Sequence, residues 1–141
     1  MSLTASRSTL IAAALVLTTA CVGLQLLYGF PVSEEAGRTL EMAAVVGYMG
    51  AATLLLAPLG RSRAFLAAAL AFVLVVAAVY LNTRLTTALD VRFGGSYPWS
   101  GQRLLVAGLF VGPIVGLITG VLVFALAWAE AIRWSGGRHA R

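Results

Sequence analysis

The sequence predicts an all-α membrane protein: an up-down bundle of four transmembrane helices, with both termini cytoplasmic and one longer external loop that includes an interfacial helix. Composition is the first observation behind this fold class. Of 141 residues, 60% are hydrophobic and 11% are charged, whereas soluble domains are about half apolar and a quarter charged. The second observation is that the apolar residues form four runs near the roughly 20 residues that cross a bilayer as a helix. We therefore expect one multi-pass domain over residues 1–141, in the cell inner membrane.

The first span is predicted over about residues 10–30, which are mostly apolar. The alternative is a lipoprotein signal, with Arg7 in its charged region and Cys21 at its cleavage site. It fits poorly, because a lipobox usually has leucine where this chain has Thr18, and because the residues after Cys21 stay apolar. A membrane-spanning helix is the favoured interpretation.

The second and third spans are predicted as a hairpin, over about residues 39–59 and 64–81. Pro58, Gly60 and two arginines mark a tight turn between them, and a connection this short joins antiparallel neighbours. Leucine recurs every fourth residue after the third span. We therefore expect this helix to continue to about residue 92 as an interfacial helix outside the bilayer.

The fourth span, about residues 104–132, carries the most regular pattern of the chain. Glycine stands at every fourth position, forming a set that we call the glycine ridge: Gly108, Gly112, Gly116 and Gly120. Residues four apart share a helix face, so these glycines form a smooth groove of the GxxxG or glycine-zipper type. With Pro113, where we expect a bend, they forfeit about 7 kcal/mol of helix propensity in water. A bilayer offsets this loss, because the backbone there has no alternative to internal hydrogen bonds.

A weaker ridge of small residues is predicted on the second span, at Ala43, Gly47 and Ala51. In an up-down bundle the second and fourth spans run in the same direction, so two pairings of the glycine ridge are open. It could pack against the weaker ridge of the same chain, or against another copy or a partner subunit. Four glycines make a longer groove than a neighbour with one glycine needs, so we expect part of the ridge to form an intermolecular contact.

The distribution of arginine predicts the orientation. All ten basic residues are arginine, which we interpret as the codon bias of a G+C-rich, bacterial or archaeal genome. Six arginines fall on the side of the two termini and four on the other side. The positive-inside rule therefore places both termini in the cytoplasm.

Six polar or aromatic residues are candidates for a functional role: Gln25, Glu41, Arg84, Asp90, Arg92 and Trp99. Gln25 is interpreted mainly as an amide that bonds to another helix, and Glu41 mainly as an acid that begins the second helix. The other four belong to the external segment, which either anchors at the membrane interface or caps a cavity. No ionisable residue is predicted near the centre of a span, where transporters and proton relays carry them.

No catalytic, cofactor or metal site is predicted. The one histidine, His139, lies in the tail, so no span offers a base for a nucleophile or a histidine ligand for haem. No acidic cluster suits a metal ion. The arginines form no patch or stripe, which argues against nucleic acid as a partner.

Three functions are compatible with these features. The leading hypothesis is a small non-catalytic membrane subunit or scaffold that docks through its small-residue ridges, as a homo-oligomer or in a larger membrane complex. The first alternative is a small oligomeric channel or transporter, in which the glycine ridge lines or packs the pore. The second is a membrane protein that handles a lipid or quinone through its external loop.

Overall fold

A computed structural model describes residues 3–26, 34–92 and 106–134 of the chain. In this part the chain forms four helices that are long and apolar enough to cross a membrane. They are α1 (Arg7–Leu26), α2 (Glu34–Leu56), α3 (Ala64–Arg92) and α4 (Gly112–Trp128); the fourth span, Ala107–Trp128, also includes the turn that precedes α4. The predicted helical, multi-pass class is confirmed at this level.

The first two helices begin earlier than predicted, because polar residues start them. Ser6 caps α1: its side-chain oxygen accepts a hydrogen bond from the Thr9 N–H at 3.1 Å, which satisfies one of the free donors of the first turn. In α2 the helix begins at Glu34, where an acidic residue favours a helix N-terminus. The apolar run shows the membrane span, whereas the cap decides where the helix begins.

The connection between α2 and α3 is tight, as the sequence predicts. Two short 3₁₀ helices, Ala57–Leu59 and Arg61–Arg63, are joined by Gly60. Gly60 has a φ of 77°, in a region that L side chains rarely adopt, so glycine is required at this position.

The two long C-terminal helices also follow the sequence, with one difference. Helix α3 continues to Arg92, which matches the predicted extension. A π-helical turn, Ala107–Val111, precedes α4, and the Gly112 N–H donates to the Ala107 carbonyl, five residues earlier. Pro113 has no N–H to donate, and the expected disturbance of the helix takes the form of this wider turn.

A short parallel ladder that the sequence did not predict joins the two ends of the described chain. Strand β1 (Leu3–Ala5) pairs with β2 (Ile132–Trp134). Strand β2 also contacts the 3₁₀ turn Ala57–Leu59. Both strands and the α2–α3 turn therefore lie at the same end of the bundle.

The helices pack as two pairs. Helix α1 packs mainly on α2, and α4 packs mainly on α3, while α2 also contacts α3 and joins the pairs. Direct contacts between α1 and α3 are few. This arrangement leaves a space between α1 and α3 above the surface of α2.

Candidate functional site: a cleft between α1 and α3

The glycine ridge lies against α3 of the same chain. A Cβ added at Gly116 would lie 2.9 Å from a Val76 methyl carbon and 3.0 Å from the Phe72 carbonyl oxygen. One added at Gly120 would lie 3.1 Å from the Ala68 carbonyl oxygen. Backbone and side chains of α3 therefore occupy the groove that these glycines form.

The remaining ridge positions show the direction of the packing. Gly112 faces Val76 and Gly108 faces the Tyr80 ring, each with its added Cβ 3.5 Å from the nearest α3 atom. Facing residue numbers rise on one helix as they fall on the other, so α3 and α4 are antiparallel. The predicted pairing with the weaker ridge of α2 is therefore wrong, because the buried ridge positions pack on α3. The prediction considered only small-residue partners in parallel helices, whereas the groove receives a row of larger residues from an antiparallel helix.

The weaker ridge on α2 faces α1 instead. A Cβ at Gly47 would overlap the Cys21 sulfur and lie 3.7 Å from a Leu17 methyl carbon. Ala51 is also buried, but Ala43 is exposed. The buried face of α2 passes through Ala44, which has no exposed surface, so the predicted ridge is displaced by one residue at this end.

The space between α1 and α3 is a cleft of about 350 Å³. Thr18 and Val22 line it from α1, and α2 and α3 contribute mostly alanine, leucine and valine. Ala51 and Ala78 are among these residues, and their small side chains leave volume that larger ones would fill.

The rim of this cleft is apolar. Four lining residues are between 38% and 64% exposed: Val22, Leu55, Leu74 and Leu81. In a membrane such a surface faces hydrocarbon. The cleft is therefore open from the side through an apolar rim.

A buried polar pair interrupts the apolar wall of the cleft. The Tyr48 hydroxyl donates to the Asn82 side-chain oxygen at 3.0 Å, and both residues line the cleft. Asn82 is 6% exposed. Its NH₂ group donates no hydrogen bond within the described part of the chain. The nitrogen is not fully enclosed either, because it is absent from the buried polar atoms that lack a partner. The amide thus presents free donors at the cleft wall.

Two predicted site residues form hydrogen bonds between helices, one turn or more beyond this pair. Gln25 is fully buried, and its NH₂ group donates to the Leu40 carbonyl at 3.0 Å, while its own carbonyl oxygen has no partner among the described residues. Glu41 does not begin α2 as predicted, because the helix starts seven residues earlier at Glu34. It accepts a long hydrogen bond of 3.4 Å from the Thr86 hydroxyl, which also lies 3.2 Å from the Thr83 carbonyl of its own helix. These bonds connect α1 to α2 and α2 to α3, which is a structural role.

The other predicted site residues are not brought to the cleft. Arg84 is exposed on α3. Asp90 and Arg92 belong to the last turn of α3, but their side chains lie outside the description, as does Trp99 altogether. No cluster of His, Cys, Asp and Glu that could hold a metal ion occurs among the described residues.

Tyr48 and Asn82 were not among the residues that the sequence predicted to be functional. A signal for Tyr48 was present: it lies nine residues after Thr39, near the middle of the span Thr39–Leu59, whereas tyrosine in membrane proteins is usually found at the interfaces. Asn82 looked like the polar end of the third span. Its hydrogen bond to Tyr48 depends on the packing of α2 against α3, which the sequence does not show.

Comparisons with known proteins identify no relative of this chain. No protein-family model, curated protein or solved structure matches the chain. Function must therefore be inferred from the cleft and from the residues that line it.

Proposed function

We propose that this protein is a small, non-catalytic membrane subunit that holds a lipid-phase molecule in the cleft between α1 and α3. The observation that carries the proposal is the cleft itself, apolar and open from the side, with one polar pair in its wall. Ligand sites in proteins are typically concave and mostly apolar, with a few polar groups that orient the ligand, and have volumes from about 300 Å³ upward. A cleft of about 350 Å³ is at the lower end of this range.

The proposal includes the full topology: an up-down bundle in the inner membrane, with both termini cytoplasmic. The excess of arginine supports this side for the termini. Arg61 of the α2–α3 turn lies over the Trp128 ring at 4.3 Å, an arrangement suited to a membrane interface. Reporter fusions at Ser96 and after Arg141 should report opposite sides of the membrane. The same side for both would contradict the topology.

We also propose that the protein assembles with another copy or with a larger membrane protein, through a surface other than the glycine ridge. Because α3 covers the buried positions of the glycine ridge, docking would use the exposed apolar faces of α1 and α4, such as those of Leu15 and Leu117. The channel alternative likewise needs a pore that residues other than this ridge would line.

Filling the cleft tests the proposed function. Ala78→Leu places a larger side chain in the cleft, and Ala77→Leu is a matched control, because Ala77 is exposed on the same helix and does not line the cleft. The proteins are extracted in polymer-bounded native discs and exchanged into detergent, and retained lipids are counted by mass spectrometry. We expect about one retained molecule per chain in the wild type and in Ala77→Leu, and a clear loss in Ala78→Leu. Equal retention in all three proteins would contradict the proposal.

A further inference from the structure

We infer that the molecule in the cleft bears a carbonyl group, which accepts a hydrogen bond from the Asn82 amide while its apolar tail follows the wall toward Leu55 and Leu74. This inference rests on the proposed function and specifies the chemistry of its ligand. It assigns to Asn82 the role of a binding residue and to Tyr48 the role of a positioning residue.

The hydrogen bonding of the polar pair defines the chemistry of the ligand. The Tyr48 proton is already donated to the Asn82 oxygen, and this bond fixes which end of the amide is free. What remains is an NH₂ group with two donors, on a residue that is 94% buried in an apolar wall. Carbonyl oxygen matches these donors, because it accepts hydrogen bonds and brings no donor that would itself need a partner. A pure hydrocarbon would leave the amide unsatisfied.

The shape of the cleft gives the ligand a direction. Asn82 and Leu74 both line the cleft and lie eight residues apart on α3, about 12 Å along the helix axis. Tyr48 and Leu55 are seven residues apart on α2, about 10 Å. The polar pair thus lies toward one end of the apolar wall, with only Leu85 of the lining beyond it on α3, so a ligand with a carbonyl near one end and a hydrocarbon tail fits it.

The free donors of Asn82 argue against a partner helix as the occupant of the cleft. A helix with side chains is at least about 10 Å wide, whereas the walls of this cleft are neighbouring helices that already contact one another. The carbonyls of a helix are, moreover, already bonded within that helix. A small membrane-resident molecule with its own carbonyl group can satisfy the free donors.

Two kinds of membrane molecule carry this chemistry: isoprenoid quinones, with ring carbonyls, and glycerolipids, with ester carbonyls. Two pairs of probes separate them from each other and from simple apolar filling. Decylbenzoquinone is compared with decylbenzene, and a monoacylglycerol ester with its ether analogue. Binding to the purified full chain in detergent is measured by thermophoresis.

We expect the wild type to prefer at least one carbonyl probe over its carbonyl-free analogue by roughly tenfold, the effect of one hydrogen bond in an apolar site. Asn82→Leu should lose this preference while still binding both members of the pair. Tyr48→Phe should bind more weakly but keep a preference, because the amide donors remain. Thr18→Val is the control: Thr18 lines the cleft, but its hydroxyl donates to the Ala14 carbonyl of its own helix, so the preference should not change.

The binding measurements distinguish a failure of the carbonyl inference from a failure of the proposed function. Equal binding of carbonyl and carbonyl-free probes by the wild type would overturn the inference about the carbonyl and leave the proposed function standing. No binding of any probe, or a co-purified membrane protein that cross-links into the cleft, would overturn both. If Asn82→Leu does not fold, the infrared carbonyl band of decylbenzoquinone bound to the wild type decides: a shift to lower wavenumber supports the hydrogen bond, and an unshifted band refutes it.

Discussion

The two sides of α3 meet their neighbours in opposite ways. Toward α4 the helices are so close that a Cβ at Gly116 would lie 2.9 Å from Val76. Toward α1 the same helix leaves a cleft of about 350 Å³. On the α4 side the larger Phe72 and Val76 of α3 fill the groove of the glycines, whereas on the α1 side α3 contributes the small Ala78 to the wall of the cleft. A row of small residues therefore gives close packing only when the opposite helix supplies a row of larger ones.

The largest effect that this comparison predicts comes from filling the α3–α4 groove. Gly116→Leu should lower the free energy of unfolding by about 3 kcal/mol, because the added side chain meets Val76 and the Phe72 backbone and must displace α3. Unfolding in mixed micelles with increasing dodecyl sulfate, followed by circular dichroism, measures the change.

Gly23→Leu is the matched control for this prediction. Gly23 is exposed on α1, and an added Cβ would meet nothing within 4 Å. The control should unfold no more easily than the wild type, since leucine has the higher helix propensity. A Gly116→Leu protein with unchanged unfolding but an altered oligomeric state would restore the intermolecular interpretation of the ridge.

An intermediate effect is predicted where α1 meets α2. Gly47→Ala should lose about 1–3 kcal/mol, because the new methyl group overlaps the Cys21 sulfur. Cys21→Ala removes that sulfur, so the double variant should recover most of the loss, with a coupling free energy of at least about 1 kcal/mol. The same unfolding assay measures all three proteins. Strict additivity would show that Gly47 is required for some reason other than its contact with Cys21.

The sequence was sufficient for the helices and insufficient for their contacts. Run length and hydropathy predicted the four helices, and the leucine spacing predicted the extension of α3 to Arg92. These are properties of one segment at a time. The pairing of the glycine ridge with α2 was mispredicted because a groove does not specify which row of side chains fills it.

The cleft could not be predicted from the sequence for a related reason. It exists because α1 packs on α2 and makes few contacts with α3, and no local pattern encodes that crossing. Tyr48 could have been selected as an unusual residue in the middle of a span. Its bond to Asn82 joins residues 34 positions apart, and only the packing of α2 on α3 brings them together.

The smallest effect is predicted at the end of the α3/α4 pair, where the chain leaves α4 for β2. The Glu130 N–H donates to the Ala127 carbonyl at 3.2 Å, and the Ala131 N–H donates to the Leu126 carbonyl at 3.0 Å. These two bonds form a Schellman motif with Glu130 at the position where glycine is usual. Glu130 has a φ of 50°, a conformation that costs a residue with a Cβ about 1 kcal/mol.

Replacing Glu130 measures the free-energy cost of its left-handed backbone conformation. Glu130 also makes a side-chain or electrostatic interaction of its own, so the glycine variant is compared with Glu130→Ala, which loses the same side chain but keeps the Cβ. Glu130→Gly should be the more stable of the two by about 1 kcal/mol in the unfolding assay. The turn reverses the chain so that β2 runs parallel to β1, and the gain should therefore depend on the ladder: deleting residues 132–141 in both variants should reduce it. If alanine proves as stable as glycine at this position, the left-handed turn does not form at the end of α4, and the parallel pairing of β1 with β2 loses its geometric basis.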